Sequence, residues 1–157
     1  MKQILLNTQE IEKLNEAGEQ ELIASNTYRY LASCMQKHGF FGAQKYFMKE
    51  SDEERGHYTL LADYLNDRGC ELEMPELPEI ELEFTDLGQA LAHAYQMEVD
   101  LENKYVEYYG ACGLVTQVFL QKFLKIQRKS IGEYGDLLAK YDKSLDKAQF
   151  DNWLGEQ

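Results

Sequence analysis

The sequence predicts an all-α protein: a four-helix bundle with one long crossover between the second and third helices, plus a short fifth helix at the C-terminus. Three observations carry this. Four segments space their apolar residues three and four apart, the period of an amphipathic helix. The only prolines, Pro75 and Pro78, fall in one stretch, so long uninterrupted helices are open to the rest of the chain. The connections also differ in length: the turns at 38–40 and 110–113 are short, whereas 70–84 is a link of about 15 residues.

The elements follow in order. Helix one runs from Asn7 to His38 and stops at Gly39; helix two runs from Phe41 to Arg68 and ends at Gly69. Helix three spans Asp86 to Tyr109, closed by the glycines of GACG, helix four spans Leu114 to Tyr141, and AQFDNWLGEQ forms the small fifth helix. Short turns make helices one and two antiparallel, and three and four likewise. A helix of about 28 residues is about 42 Å long. The extended 70–84 link reaches about 50 Å, enough to cross the bundle lengthwise and make helices two and three parallel. An up-and-down bundle needs no such link. One domain over residues 1–157 is expected, because this length leaves no room for two of ordinary size.

Charge narrows the partners. Lys and Arg number 16 against 28 Asp and Glu, a formal charge of −12, with 44% hydrophobic residues. That apolar content supports a core and excludes an acidic disordered tail. The negative charge excludes nucleic acid and anionic membrane as expected partners and favours cations, metals among them. Cys34, Cys70 and Cys112 are odd in number and lack a C-x-x-C pair, the usage of reduced thiols. With no signal-peptide core and no window of transmembrane length, a cytoplasmic location is expected.

Stepping three and four along each helix gives the inward seam. It reads Leu14, Gly18, Glu21, Ser25, Tyr28, Ala32, Met35 in helix one and Ala43, Phe47, Glu50, Glu54, His57, Leu61, Tyr64 in helix two. Helix three gives Leu87, Leu91, Ala94, Glu98, Leu101, Tyr105, Tyr108, and helix four Leu120, Phe123, Gln127, Ser130, Tyr134, Leu137, Tyr141. The polar exceptions Glu21, Glu54, His57, Glu98 and Gln127 all lie near mid-helix, so they are expected to share one layer of the core. Glu50 falls a turn away, at the edge of the seam. Buried carboxylates cost several kcal/mol each unless protonated, paired or bound to cations, and no Lys or Arg shares these positions. A metal site is the simplest solution. The E-x-x-H spacing of Glu54 and His57 puts both on one helix face. Carboxylate with imidazole suits iron, manganese or zinc, and an oxygen-rich set with one His favours iron. Tyr105, Tyr108 and Tyr134 read as core aromatics, and His38 and His93 as surface residues.

At these residues the sequence resembles the non-haem ferritins over nearly its whole length. KYFMKESDEERGH (45–57) is similar to the family's helix-two motif, Glu21-Leu-Ile-Ala-Ser with Tyr28 to its helix-one motif, Glu98 to its helix-three glutamate, and Gln127 through Asp136 to helix four of the animal and plant type. The resemblance implies a ferroxidase centre with two irons per subunit. Glu21, Glu54 and His57 would ligate the first iron; Glu54 would bridge to a second, which Glu98 also binds. Gln127 would hydrogen-bond a water or oxygen species there, with Tyr28 nearby, and Gln127 and Glu53 are further candidate ligands. It also implies Fe(II) and O2 or H2O2 as reactants, and a shell of 24 copies holding ferric mineral.

Departures shape the reading. Ser130 stands where some bacterial ferritins carry another acid, and Ile126 and Lys129 do not complete a third iron site beside Glu53. Gly56 and Thr59 replace the inward acids common in animal chains. Helix four lacks a second E-x-x-H, unlike bacterioferritin and rubrerythrin, and Arg55 occupies the position of bacterioferritin's haem-ligating Met, so no haem is expected. The expectation is therefore an iron-storage ferroxidase. Its rivals are a di-iron oxidase without storage and a catalytically inactive structural subunit.

Overall fold

The computed structural model describes residues 1–157 and contains five helices: α1 (Thr8–Lys37), α2 (Phe41–Asp67), α3 (Leu87–Gly110), α4 (Leu114–Lys143) and α5 (Lys147–Leu154). None is long and apolar enough to cross a membrane. The helix ends carry the chemistry that stops and starts them. Asn7 and Glu10 form a reciprocal capping box on α1. Asp86 and Asp146 accept the first free N–H groups of α3 and α5. Gly39 (φ +83°) and Gly69 (φ +84°) make the left-handed turns after α1 and α2.

Two apolar clusters define the topology. One joins the C-terminal half of α1 (Tyr28, Leu31, Met35) to the starts of α2 (Ala43, Phe47) and α3 (Leu87, Leu91), the end of α4 (Tyr134, Leu137) and α5. The other joins the start of α1 (Leu14, Ala17), the ends of α2 (Leu61, Leu65) and α3 (Leu101, Tyr105, Tyr108) and the start of α4 (Leu120, Phe123). Helices α2 and α3 therefore run in the same direction from the first cluster to the second, and α1 and α4 run back. This is the topology the long link implied.

The crossover is extended and pairs with no strand, while its side chains alternate between exposed glutamates and half-buried apolar residues. It is tied down at both ends of α1, where Asn15 accepts the Glu73 N–H at 3.1 Å and Tyr30 donates to the Leu82 carbonyl. It thus runs lengthwise along α1. His93 departs from expectation. It is half-buried, with the Phe84 ring 5.2 Å away, because the end of the crossover folds over it. His38 is exposed as expected. The three cysteines are free, and Cys70 and Cys112 are buried in the second cluster.

Candidate metal centre

The seam residues of all four long helices are buried or half-buried, and the polar layer lies between the two apolar clusters. Glu21 is 0% exposed, Glu54 2%, Glu98 1% and Gln127 1%. Near-equal helices align their midpoints, so one carboxylate from each of α1, α2 and α3 enters the same slab of core. Ser25 and Ser51 close the layer on one side by bonding each other's carbonyl oxygens at 2.8 Å.

Glu21, Glu54 and His57 present ligand atoms that all lie within 4.8 Å of one another. His57 Nδ1 is 3.1 Å from Glu54 Oε2 and 3.6 Å from Glu21 Oε2. Glu98 is held from two sides: Tyr28 donates to Oε1 at 2.5 Å and Gln127 donates to Oε2 at 2.7 Å. Tyr105 donates to Glu21 Oε1, while Glu21 Oε2 is buried with no hydrogen-bond partner. A buried carboxylate oxygen without a donor is costly in protein alone. A cation relieves that cost, so the donor set fits a metal ion.

The electrostatics agree. Burial, then the neighbouring Glu21, pushes Glu54 up to about 8. Burial, then the charge of Glu54, pushes Glu98 up to about 7. Burial acts against the His57 cation, but Glu21 and Glu54 outweigh it and hold the imidazole up at about 10. Protons thus compete with any metal for these groups, and no Lys or Arg offers the alternative of an ion pair.

The residue pattern, the two-cluster topology and the buried acid layer are together those of one family. The Ferritin family model, a ferritin-like domain, matches residues 11–144. This chain belongs to the ferritin-like family. The bacterial non-heme ferritin of Staphylococcus saprophyticus is 26% identical, over 94% of this chain and 98% of its own length. That of Staphylococcus aureus is 23% identical, over 94% and 99%. Among solved structures, a humanized archaeal ferritin superposes with TM-score 0.92 at 19% identity, covering 97% of each chain. An open pore ferritin from the hyperthermophilic archaeon Archaeoglobus fulgidus superposes with TM-score 0.89 at 20% identity, covering 99% of each. At that identity the two structures establish the shared ferritin fold.

Within this ferritin-like chain, Glu21, Glu54 and His57 form the tight group, and Glu98, Gln127 and Tyr28 a second, bonded set coupled to Glu54. Glu53 is exposed and stands apart. It lines a cavity of about 390 Å³ between α2, α4 and α5, with Tyr46, Glu50, Lys129 and Glu133. Glu50 is more enclosed than a seam edge implies: burial, then Glu53, pushes it up to about 8. Tyr105 is the core aromatic that the seam implies and also a donor to Glu21. The signal for its second role was its position seven residues after Glu98 on one helix face, but the partner, Glu21, is set by how α1 packs on α3.

Proposed function

We propose that this chain is an iron-storage ferritin subunit that oxidises Fe(II) at an intra-subunit di-iron centre and deposits the ferric product inside a shell of like subunits. One observation carries the reading: three buried carboxylates and one imidazole converge around an orphaned carboxylate oxygen, with no Lys or Arg beside them. Family membership supports it, as do relatives named as non-heme ferritins.

In this reading Fe(II) is the substrate. Glu21, Glu54 and His57 bind the first ion, and Glu54 and Glu98 the second. Each Fe(II) gives up one electron. Two electrons and two protons convert O2 to H2O2, or H2O2 to two waters. Carboxylates favour the harder Fe(III) product. The protein's own part is to hold the ligands ready. Tyr28 and Gln127 fix Glu98 through donated hydrogen bonds, Tyr105 orients Glu21, and carboxyl protons leave as metal binds. A bundle packed around its own core has no interior for mineral, so storage requires many copies to enclose a space. In this reading the shell has 24 copies, the number that the resemblance to the non-haem ferritins implies.

Anaerobic Fe(II) titration of the metal-free protein tests the site: about two tight sites per chain are expected, and none overturns it. Aerobic oxidation must slow strongly in Glu54→Ala; equal slow rates in that variant and wild type overturn the catalytic role. Elution far above the 18.3 kDa of one chain tests the shell, and elution as a monomer leaves oxidation without storage.

A further inference from the structure

The end of α1 and the end of the crossover enclose a second group of metal-ligating side chains, outside the acid layer. A cavity of about 340 Å³ there has Cys34 of α1, His38 at its C-cap and Glu83 of the crossover in its walls. Cys34 is half-buried, and His38 and Glu83 are exposed. The C-x-x-x-H spacing sets thiol and imidazole one turn apart on the same side of the helix, with Cβ atoms about 5–6 Å apart. The His38 N–H still bonds the Cys34 carbonyl at 3.2 Å, so that spacing survives at the helix end. Tyr30 ties in the third group. Its hydroxyl donates to the Leu82 carbonyl, which anchors the residue before Glu83. The Cys34 thiol, then burial, then the Glu83 carboxylate push the Tyr30 phenol above its ordinary value, so thiol and carboxylate face one hydroxyl.

These donors differ in kind from those of the acid layer. That layer is rich in carboxylate and suits hard iron, whereas a thiolate beside an imidazole selects a softer ion, zinc above all. Cys, His and Glu are each zinc ligands, at about 2.0–2.3 Å, and three of them leave a fourth position for water. The place favours a cation as well, because the last carbonyl groups of α1 give its C-terminal end a partial negative charge. The His38 imidazole and the Glu83 carboxylate are in no ion pair, so both are free to turn towards an ion. Lys37 shares the cavity wall but is exposed, and its long stem keeps the ammonium in water.

We propose that Cys34, His38 and Glu83 form a zinc-class metal site that staples the end of the crossover to the end of α1. The thiol proton leaves to solvent as the ion binds, and no electron moves. The site is separate from the acid layer and does not depend on the iron-storage reading.

Cobalt(II), which takes the ligands of zinc, is the probe. A thiolate–cobalt bond gives an intense near-ultraviolet charge-transfer band that carboxylates and imidazoles do not, so cobalt in the acid layer stays silent. Titration of the metal-free, reduced protein should raise that band to saturation at one site per chain, and added zinc should abolish it. Cys34→Ser should lose the band, His38→Ala and Glu83→Gln should each bind several-fold more weakly, and Cys70→Ser, Cys112→Ser and Glu54→Ala should keep it, with helix content unchanged throughout. A wild type without the band, or a band that survives in Cys34→Ser, overturns the site. Unchanged affinity in both His38→Ala and Glu83→Gln leaves a lone thiol and overturns it too. Amide hydrogen exchange over residues 82–85 should slow several-fold when zinc is added to wild type but not to Cys34→Ser; unchanged exchange in wild type overturns the staple. A wild type that shows the band yet oxidises no Fe(II) keeps this site and sinks the oxidase reading, so the two failures are separate.

Discussion

Gln127 on α4 grips Glu98 on α3 twice, donating to its Oε2 at 2.7 Å and to its main-chain carbonyl at 3.3 Å. This double contact orients the carboxylate and favours its charged form, as does the Tyr28 hydroxyl from the other side. Both donors work against the burial that pushes Glu98 up to about 7.

Removing the grip should therefore act through pH. In Gln127→Ala the Glu98 carboxyl holds its proton to higher pH, and metal must displace it. Fe(II) oxidation by the variant is expected to fall several-fold more at pH 6 than at pH 8, measured by stopped-flow absorbance. An equal loss at both values would show that Gln127 does not work through Glu98.

Tyr105→Phe removes the one hydrogen bond that Glu21 accepts within 3.5 Å and leaves its carboxylate only the longer His57 contact at 3.6 Å. An unsatisfied buried group costs about 1–3 kcal/mol. Chemical denaturation of the metal-free variant should show a loss of that order. Saturating Fe(II) under anaerobic conditions should restore part of it, because metal bonds then satisfy Glu21.

Metal-free stability should fall as pH rises. Folding raises Glu54, Glu50 and Glu98 from 4.5 to about 8, about 8 and about 7, and His57 from 6.5 to about 10. The folded state then binds more protons than the unfolded, so stability is full below the unfolded values and is lost as pH climbs through the folded ones. Thermal scans with chelator should give a lower Tm at pH 9 than at pH 6. Glu54→Gln should flatten that slope, and an unchanged slope would remove Glu54 from the cause.

The start of α2 has no side-chain cap of its own; Asp151 of α5 supplies one, accepting from Gly42 at 3.0 Å and Ala43 at 2.8 Å. Asp151→Ala should cost about 0.5–2 kcal/mol, or about 2–4 °C of Tm for each kcal/mol. Hydrogen exchange at Gly42 and Ala43 should accelerate. Gly42→Ala should also displace α5, since its Cβ would lie 1.8 Å from the Asp151 carbonyl oxygen.

Sequence alone determined the helices, their order and the acids of the core, because each rests on local information. Period-3.6 spacing marks the buried face, caps and glycines mark the ends, and a link too long for a turn dictates the crossover. Glu21, Glu54, His57, Glu98 and Gln127 stand out because a polar side chain on an apolar seam breaks a pattern visible within one helix. Tertiary structure alone decided which groups touch. That Glu21 keeps one oxygen unpartnered, that Glu98 is gripped from α1 and α4, and that Glu53 turns into a separate cavity depend on the rotation of each helix about its axis. So does the Asp151 cap, which joins residues 108 and 109 positions apart. Periodicity says which face is buried; only packing against the neighbouring helices fixes that rotation closely enough to choose a hydrogen-bond partner.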